Sequence, residues 1–344
     1  MKVGYTQVFF ERSWEIVMNR EVVLTALALL FSICVTQGMA GSRTSLPKDV
    51  ASGWGNVWLK SMENGYKPYG FKIVDSQTAP GPRFGKKFIK FEVRPGDCGN
   101  NGGWDDCAND RERHELSQNK ALQKHGDEYW YSWSIFVPTD TPSISPTKVH
   151  LGQFQQKNNN VLLLMSWSLA GYYIDNQVPG NGYTRETRNI IPQRNYQGKW
   201  QDILIHTRWS HSSDGFFKIY HNHKLKYEYA GQTIAKGDRS FFKFGIYRSF
   251  ISRYKNRNEV SEAPKQIVYY DEVHRNRSLS KVDYVGIAKW QEKLAETGHY
   301  TGKIDGLWGG GSLKATNAWL TEQGYPNVRE YSPDLWRHMI EAEQ

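Results

Sequence analysis

Between residues 71 and 274 the chain alternates short apolar-rich runs with polar gaps that contain Gly, Pro, Asn or Asp. Within the runs apolar and polar residues tend to alternate, which is the period of a β-strand with one buried face. Helical periodicity is not evident in this region. Strands are therefore predicted at residues 87–93, 111–117, 129–137, 151–157, 161–168, 172–176, 202–209, 215–221, 224–230, 240–250 and 266–274.

This many short strands separated by turn residues indicate an all-β sandwich rather than βαβ units. The segment at residues 179–195 interrupts the pattern, because it is long and polar and contains Gly180 and Gly182. We expect it to form a mobile loop over a groove.

The pattern changes after Arg275. Residues 276–281 form a short polar stretch typical of a linker, and residues 288–295 and 312–322 have helical spacing. A sandwich domain over residues 41–275 and a small α-helical domain over residues 282–344 are therefore predicted.

The N-terminus carries an apolar run at residues 22–35, preceded by Arg20 and followed by small residues. A run of about 14 residues is too short to span a bilayer. It is typical of a signal peptide, predicted here as residues 1–40, so the protein is expected to be secreted or periplasmic. The alternative is a buried helix or a membrane anchor. No other segment is apolar enough to span a membrane.

If the chain is exported, its cysteines enter an oxidising compartment in which disulfides form. Cys34 would leave with the signal peptide, so Cys98 and Cys107 remain, in a loop rich in Gly, Asn and Asp. A disulfide between them is the simplest expectation. The rival is a calcium site built from the loop's aspartates, but no EF-hand spacing is present. We therefore predict no metal and no cofactor; the aspartates concerned are Asp97, Asp105, Asp106 and Asp110.

The net charge is +9 and 14% of the residues are aromatic, which suits an acidic partner. Nucleic acid is disfavoured, because no helix-turn-helix, RNP-like or zinc-finger pattern is present. An anionic polysaccharide is the expected partner.

Residues 241–249 carry the strongest candidate for chemistry. As a strand, this segment directs Phe242, Phe244 and Ile246 to one face and Lys243 and Tyr247 to the other. A phenol near a cation is a candidate for proton transfer, since the cation stabilises the phenolate. The alternative is an ordinary packing tyrosine.

Two further strands complete a pattern. Residues 113–116 read Arg-His-Glu-Leu, residues 153–155 read Gln-Phe-Gln, and residues 241–247 read Phe-Phe-Lys-Phe-Gly-Ile-Tyr. Together they resemble the signature strands of the alginate-lyase and heparin-lyase-I type polysaccharide lyases. In those lyases an Arg-x-Glu-Leu, a Gln-x-His and a Tyr-Phe-Lys-x-Gly-x-Tyr strand line one groove of a β-jelly roll. The chain departs from the pattern at Phe241, where the pattern has tyrosine, and at Gln155, where it has histidine.

The resemblance implies a β-jelly-roll enzyme that cleaves a uronic-acid polymer by β-elimination. It implies that Arg113 and Gln153 neutralise the substrate carboxylate and that Tyr247 transfers protons. Glu115 would orient Arg113, and Lys243 would act on Tyr247 electrostatically. The residues expected to contact substrate are Lys243, Glu115, Gln155, Lys157 and Arg248.

Gln155 leaves the base unassigned, because an amide cannot accept a proton at neutral pH. Tyr247 could perform both proton transfers, or a histidine elsewhere could replace the missing one. His114 has the parity of Leu116 and so faces away from Arg113. His206 is therefore the candidate substitute, and loss of activity is a third possibility.

The C-terminal turn at residues 298–306 reads Gly-His-Tyr-Thr-Gly-Lys-Ile-Asp-Gly. It resembles the turn between two helices of the peptidoglycan-binding-like module, which implies peptidoglycan as a second possible partner. The alternative is an appendage without a ligand. For the sandwich, the alternatives are a non-catalytic lectin-like protein and a jelly-roll glycoside hydrolase. The resemblance does not choose among glucuronan, alginate, heparin-like glycans and acidic exopolysaccharide.

Overall fold

Two β-sheets stacked face to face form the main body of the structure. This computed structural model describes residues 43–55 and 57–341. The strands are β1 (Arg43–Thr44), β2 (Ala51–Ser52), β3 (Trp58–Lys60), β4 (Phe71–Asp75), β5 (Lys87–Val93), β6 (Arg111–Gln123), β7 (Glu128–Phe136), β8 (Lys148–Gln156), β9 (Val161–Ser168), β10 (Gly171–Asn176), β11 (Glu186–Pro192), β12 (Gln201–Arg208), β13 (Phe216–His221), β14 (Lys224–Ala230), β15 (Ser240–Ser249) and β16 (Gln266–Asn276). Sheet A has the strand order β1-β3-β6-β15-β8-β9-β10-β11, and sheet B has the order β14-β13-β12-β7-β16-β5-β4, with β2 paired to β16.

The hydrophobic core lies between the two sheets. Phe242, Phe244 and Ile246 of β15 all enter it, as the alternation of that strand predicts. Phe242 stacks between Trp54 and Trp133, with ring centroids 5.2 and 5.1 Å away. The predicted all-β, jelly-roll-type sandwich is confirmed, and its core fixes which face of β15 remains available for a site.

The segment predicted as a mobile loop contains a strand. β11 pairs with β10 at the edge of sheet A, and its Ile190 and Ile191 are buried. This isoleucine pair gives the segment an apolar anchor that its polar composition hides. A short helix, α1 (Ile251–Asn258), follows β15 directly and was also not predicted.

Three helices complete the chain: α2 (Tyr284–Glu296), α3 (Gly310–Glu322) and α4 (Pro333–Glu341), preceded by a 3₁₀ turn at Leu279–Lys281. The small C-terminal helical part is thus present, and α4 extends it beyond the two helices predicted. Its core is continuous with side chains from sheet B, because Trp130, Leu204 and Tyr220 are buried in the same cluster as Trp290.

Polar contacts join the helices to sheet B as well. Lys289 of α2 lies 3.2 Å from Asp202 of β12, and Asp202 also forms a two-pronged ion pair with Arg83. His223 lies 3.0 Å from Asp283, which caps the N-terminus of α2. From Arg43 onward the chain forms one compact unit. The stretch at residues 276–281, predicted as a linker, therefore does not separate two bodies.

Cys98 and Cys107 form the predicted disulfide, with their Cα atoms 5.2 Å apart. The predicted signal peptide and Cys34 lie outside the described residues. Among residues 43–55 and 57–341, no helix is long and apolar enough to cross a membrane. The same residues contain no group of three or more histidine, cysteine or acidic side chains placed to hold a metal ion.

Candidate active site

Strands β6, β15 and β8 are neighbours in the middle of sheet A, and they place the predicted residues on its outer face. Tyr247 of β15 is the Cα partner of Arg113 on β6, and Lys243 is the partner of Gln153 on β8. Since Phe242, Phe244 and Ile246 enter the core, the alternate residues of β15 point outward. The structure therefore brings the three signature-like strands together.

Glu115 is the centre of a buried polar cluster on this face. Its carboxylate accepts hydrogen bonds from Gln153 Nε2 at 2.7 Å and Lys243 Nζ at 2.9 Å, and Arg113 Nη1 lies 3.3 Å away. Burial opposes ionisation of Glu115, but the charges of Lys243 and Arg113 hold its pKa below the usual range. Lys243 is thus paired with Glu115, whereas the resemblance implied that it acts on Tyr247.

The guanidinium of Arg113 is occupied by protein groups. Its Nε and Nη2 donate to the two oxygens of Asp106, at 2.6 and 2.5 Å. Its flat face lies 3.9 Å from the centroid of the Tyr247 ring. Arg113 is therefore not an open fork for a substrate carboxylate; it is a buried cation beneath the tyrosine. Asp106, in the loop closed by the disulfide, also accepts a hydrogen bond from the Trp104 indole at 2.8 Å.

Arg111 makes the direct contact with the tyrosine hydroxyl. Its Nε donates to Tyr247 Oη over 3.0 Å. Arg111 was not among the predicted site residues, although it lies two positions before Arg113 and so shares that residue's face of β6. Strand parity was the signal that could have found it.

His150 was also missed, and it lies beside Tyr247. The two residues are Cα partners on β8 and β15, and their ring centroids are 5.3 Å apart. His150 Nδ1 is 2.7 Å from Ser166 Oγ on β9. Burial, reinforced by the positive charge of Lys148, lowers the pKa of His150 to about 3, so the imidazole is neutral near pH 7.

A β-bulge explains why the sequence did not point to His150. The pairing of β8 with β9 shifts between His150 and Gly152, and its pairing with β15 shifts between Phe244 and Tyr247. Such an irregularity places residues at odd spacing on one face. His150 and Gln153 therefore both belong to the site, although strict alternation would separate them.

Comparison with known proteins identifies the family. A model of the polysaccharide lyase family matches residues 51–274, which is most of the sandwich. The chain belongs to the polysaccharide lyase family. It is thus an enzyme of that class, and the outer face of sheet A is its candidate active site. No curated protein sequence matches the chain.

Solved structures similar to this lyase include an endo-β-1,4-glucuronan lyase from the fungus Trichoderma reesei. That structure has 18% sequence identity and a TM-score of 0.49, and the match covers 70% of this chain and 96% of the fungal one. An alginate lyase of polysaccharide lyase family 7 has 13% identity and a TM-score of 0.44, with coverage of 68% and 98%. A family 7 alginate lyase from Zobellia galactanivorans has 12% identity and a TM-score of 0.41, with coverage of 63% and 83%.

His206 does not join the site of this lyase. It lies on β12 of sheet B, stacked on Trp130 at 4.0 Å, and its Nε2 is 2.8 Å from Glu128. The strand position suggested for it was correct, but strand parity does not tell which sheet a strand joins. The expectation that His206 replaces the missing histidine is therefore corrected.

The prediction that Arg248 contacts substrate is also corrected. Its side chain is fully buried, forms an ion pair with Glu112 and donates to the carbonyl of Pro264. As the neighbour of Tyr247 along β15, it points to the opposite face. It links β15 to Glu112 of β6 and to the segment before β16, and it is not accessible to a polymer.

Gln155 and Lys157 lie farther along β8. Gln155 is the Cα partner of Phe241 and is partly exposed, and Lys157 is exposed just beyond the end of the strand. Lys157 is seven residues from His150, roughly 23 Å along an extended chain. These two residues can line a long groove but do not contact the tyrosine.

Proposed function

We propose that this lyase cleaves a uronic-acid-containing polysaccharide by β-elimination on the outer face of sheet A. The observation that carries the proposal is the position of Tyr247, whose phenol is stacked on the Arg113 guanidinium and lies beside neutral His150. A phenol supported by a buried cation on an outward-facing strand surface is suited to proton transfer.

The chemistry of a uronate residue defines what the site must do. The C5 proton is α to a carboxylate, and the C4–O4 bond is β to it. Removal of the C5 proton lets its electron pair form the C4=C5 double bond while the C4–O4 bond breaks and O4 takes a proton. The enzyme must therefore reduce the negative charge that builds on the carboxylate and must move one proton off carbon and one onto oxygen.

We assign both proton transfers to Tyr247. Its oxygen, as phenolate, accepts the C5 proton, and the phenol then donates a proton to O4. His150 is a poor proton acceptor, because its imidazole has a lowered pKa and is neutral at pH 7. If its Nδ1 accepts the Ser166 hydroxyl, its Nε2–H can donate one hydrogen bond, which suits it to the uronate carboxylate. The second amide N–H of Gln153 and the charge of Arg113 would act on the same carboxylate.

The balance of charge on this face suits an anionic polymer. Four cations lie around Tyr247 and along the neighbouring strands; three of them are paired with carboxylates, and Arg111 forms no ion pair among the described residues. A cation without a carboxylate partner, in a chain with a net charge of +9, favours the approach of a polyanion. The cations are Arg111, Arg113, Lys148 and Lys243, and the carboxylates are Asp106, Glu115 and Asp175.

The site of action is a further part of the proposal. The apolar run at residues 22–35 and the disulfide both favour export, so we propose a secreted or periplasmic enzyme. For the helical part we propose peptidoglycan as a partner, because its turn at residues 298–306 resembles that of the peptidoglycan-binding-like module and because Ile304, in the turn, and Leu307, just after it, are exposed. Sedimentation with purified peptidoglycan tests the second point, and recovery of the protein only in the supernatant would refute it.

A direct assay tests the elimination. Each cut leaves an unsaturated uronate that absorbs in the ultraviolet, so absorbance is followed on glucuronan, alginate, heparin and an acidic exopolysaccharide. The proposal expects absorbance to rise together with reducing ends on at least one polymer. Reducing ends without absorbance would indicate a glycoside hydrolase. Binding without either product would indicate a lectin.

A further inference from the structure

The half-buried side chain of Arg111 is held by two backbone carbonyls, by an aromatic ring and by the hydroxyl of Tyr247. Its Nη1 donates to two backbone carbonyls, those of Asn109 at 2.8 Å and Asp110 at 3.0 Å. Its guanidinium lies over the ring of Phe250, 3.8 Å from the centroid. The remaining Nε–H is aimed at Tyr247 Oη.

Asp110, whose carbonyl holds Arg111, is itself fixed by contacts with the start of α1. Asp110 has a left-handed backbone conformation with φ of 61°, and its carboxylate accepts hydrogen bonds from the backbone N–H and hydroxyl of Ser252 at 2.9 and 2.6 Å. Its carbonyl also accepts the N–H of Phe250 at 3.0 Å. The turn before β6 and the start of α1 thus form one frame around Arg111.

The chemistry of a guanidinium restricts what this contact can do. Arginine donates hydrogen bonds and accepts none, so the oxygen of Tyr247 must be the acceptor. When Tyr247 is a phenolate, a donor from a cation stabilises its charge more than a neutral donor would. When Tyr247 is a phenol, its own proton must point away from Arg111. That proton can then be donated only to a group other than Arg111.

We propose that Arg111 is a positioning residue for Tyr247: it fixes the phenol oxygen through Nε and directs the phenol proton toward the substrate. The inference rests on the proposed function, because it assigns how the proton-transfer group of that reaction is held. It also divides the work of the two arginines. Arg113 supports the ring from below, and Arg111 orients the hydroxyl.

Substrate contact is the competing role, since Arg111 is half-buried and its Nη2 makes no hydrogen bond among the described residues. A double-mutant cycle separates the two roles. If Arg111 acts through the hydroxyl of Tyr247, its loss matters only while that hydroxyl is present. If Arg111 binds the substrate carboxylate, its loss matters in either background.

The experiment measures kcat and KM for Arg111→Ala, Tyr247→Phe and the double variant on the polymer that the native enzyme cleaves. The proposal expects Arg111→Ala to lower kcat on the order of 10- to 100-fold, as for a lost charged hydrogen bond, with KM within about 2-fold. In the Tyr247→Phe background the same change should cost less than about 2-fold. Added guanidinium ion should restore part of the lost kcat in Arg111→Ala, whereas sodium chloride at equal ionic strength should not.

Arg253→Ala is the matched control, because Arg253 also lies over the Phe250 ring, at 4.2 Å, and within the described part of the chain it forms no hydrogen bond with Tyr247. It should leave kcat unchanged. Arg111→Lys guards against misfolding of the alanine variant, since it keeps the charge, but its single nitrogen cannot occupy the separate positions from which Nη1 contacts the carbonyls and Nε contacts the phenol. It should fold normally and still lose kcat.

A kcat within 2-fold of native in both Arg111 variants overturns the inference and leaves the lyase proposal standing. An equal loss in the Tyr247→Phe background, or a loss confined to KM, also overturns it and assigns Arg111 to substrate binding. If the native enzyme yields no unsaturated product from any uronate polymer, the proposed function fails first, and the inference fails with it.

Discussion

The ring of Tyr247 lies 5.3 Å from the imidazole of His150, on neighbouring strands and at an angle of 41°. The imidazole is fixed from its other side by Ser166. A phenol supported by two cations thus shares one small surface with a neutral hydrogen-bond donor. This arrangement gives the site one proton-transfer group and one group suited to a carboxylate.

Replacement of Tyr247 by phenylalanine removes one hydroxyl and keeps the ring stacked on Arg113. Turnover should fall by about 10²-fold or more, as expected when a general acid–base is lost. The melting temperature should stay within about 2 °C, since the hydroxyl lies on the outward face of the sheet. Initial rates of ultraviolet absorbance and a thermal melt provide the two readings.

The matched control for that substitution is Tyr183→Phe, at a tyrosine that is 77% exposed in the loop before β11. It should leave both readings unchanged. Near-native turnover of Tyr247→Phe would show that another group carries the proton.

His150→Gln tests the second group of the site. A glutamine can still donate a hydrogen bond but does not reproduce the imidazole's position, so turnover should fall by about 10-fold or more. The pH–rate profile of the native enzyme should show no step from His150 between pH 5 and 8, because burial and the charge of Lys148 lower its pKa to about 3. His206→Gln is the control, since His206 lies on the other sheet. A loss in His206→Gln with full activity in His150→Gln would reverse the assignment.

Truncation after Arg275 should destabilise the sandwich. It would uncover Trp130, Leu204 and Tyr220 on sheet B, each of which is now buried against the C-terminal helices. Loss of burial costs roughly 1.5–3 kcal/mol for each large apolar side chain. The truncated protein should be insoluble or melt at least 10 °C lower in a thermal scan, a large shift for a domain of this size. A soluble fragment with native melting and turnover would show that the helices are a separable module.

His274 should make the protein sensitive to acid. Burial lowers its pKa to about 3, against about 6.5 in the unfolded chain, so the native state resists a proton that the unfolded state accepts. The stability provided by neutral His274 is complete above pH 6.5 and is lost as the pH falls toward 3. The slope approaches about 1.4 kcal/mol per pH unit.

Urea unfolding of the native protein and of His274→Gln at pH 4, 5, 6 and 7 measures this effect as a difference. Taking the difference matters because burial raises the pKa of neighbouring Glu272, which titrates in both proteins and acts in the opposite sense. The variant's stability relative to native should rise steadily as the pH falls from 6.5. A constant difference across the series would contradict the prediction.

Local alternation predicted much of the sandwich because each strand has one face in the core. The strands at Lys87–Val93, Val161–Ser168 and Lys224–Ala230 have the bounds that the sequence indicated. Three short motifs likewise indicated which strands would meet in sheet A. Both signals are local, and both are carried by residues within a single strand.

The site features that the sequence did not predict depend on contacts between distant parts of the chain. His150 was hidden by a bulge, and His206 had a suitable parity but belongs to the other sheet. Arg113 matched its motif, but its occupation by Asp106 depends on how the disulfide loop folds back. No spacing rule along one strand contains that information.

The loop between Cys98 and Cys107 has a consequence for how the enzyme matures. It supplies Asp106 to Arg113, and the chain just after it supplies the two carbonyls that anchor Arg111. Neither cysteine lies in a strand of the sandwich, so a reduced chain can still stack its sheets. What it lacks is the tether on the segment that holds Arg113 beneath the Tyr247 ring and Arg111 beside its hydroxyl. We therefore expect closure of this disulfide to order the contacts around Tyr247 rather than the stacking of the two sheets.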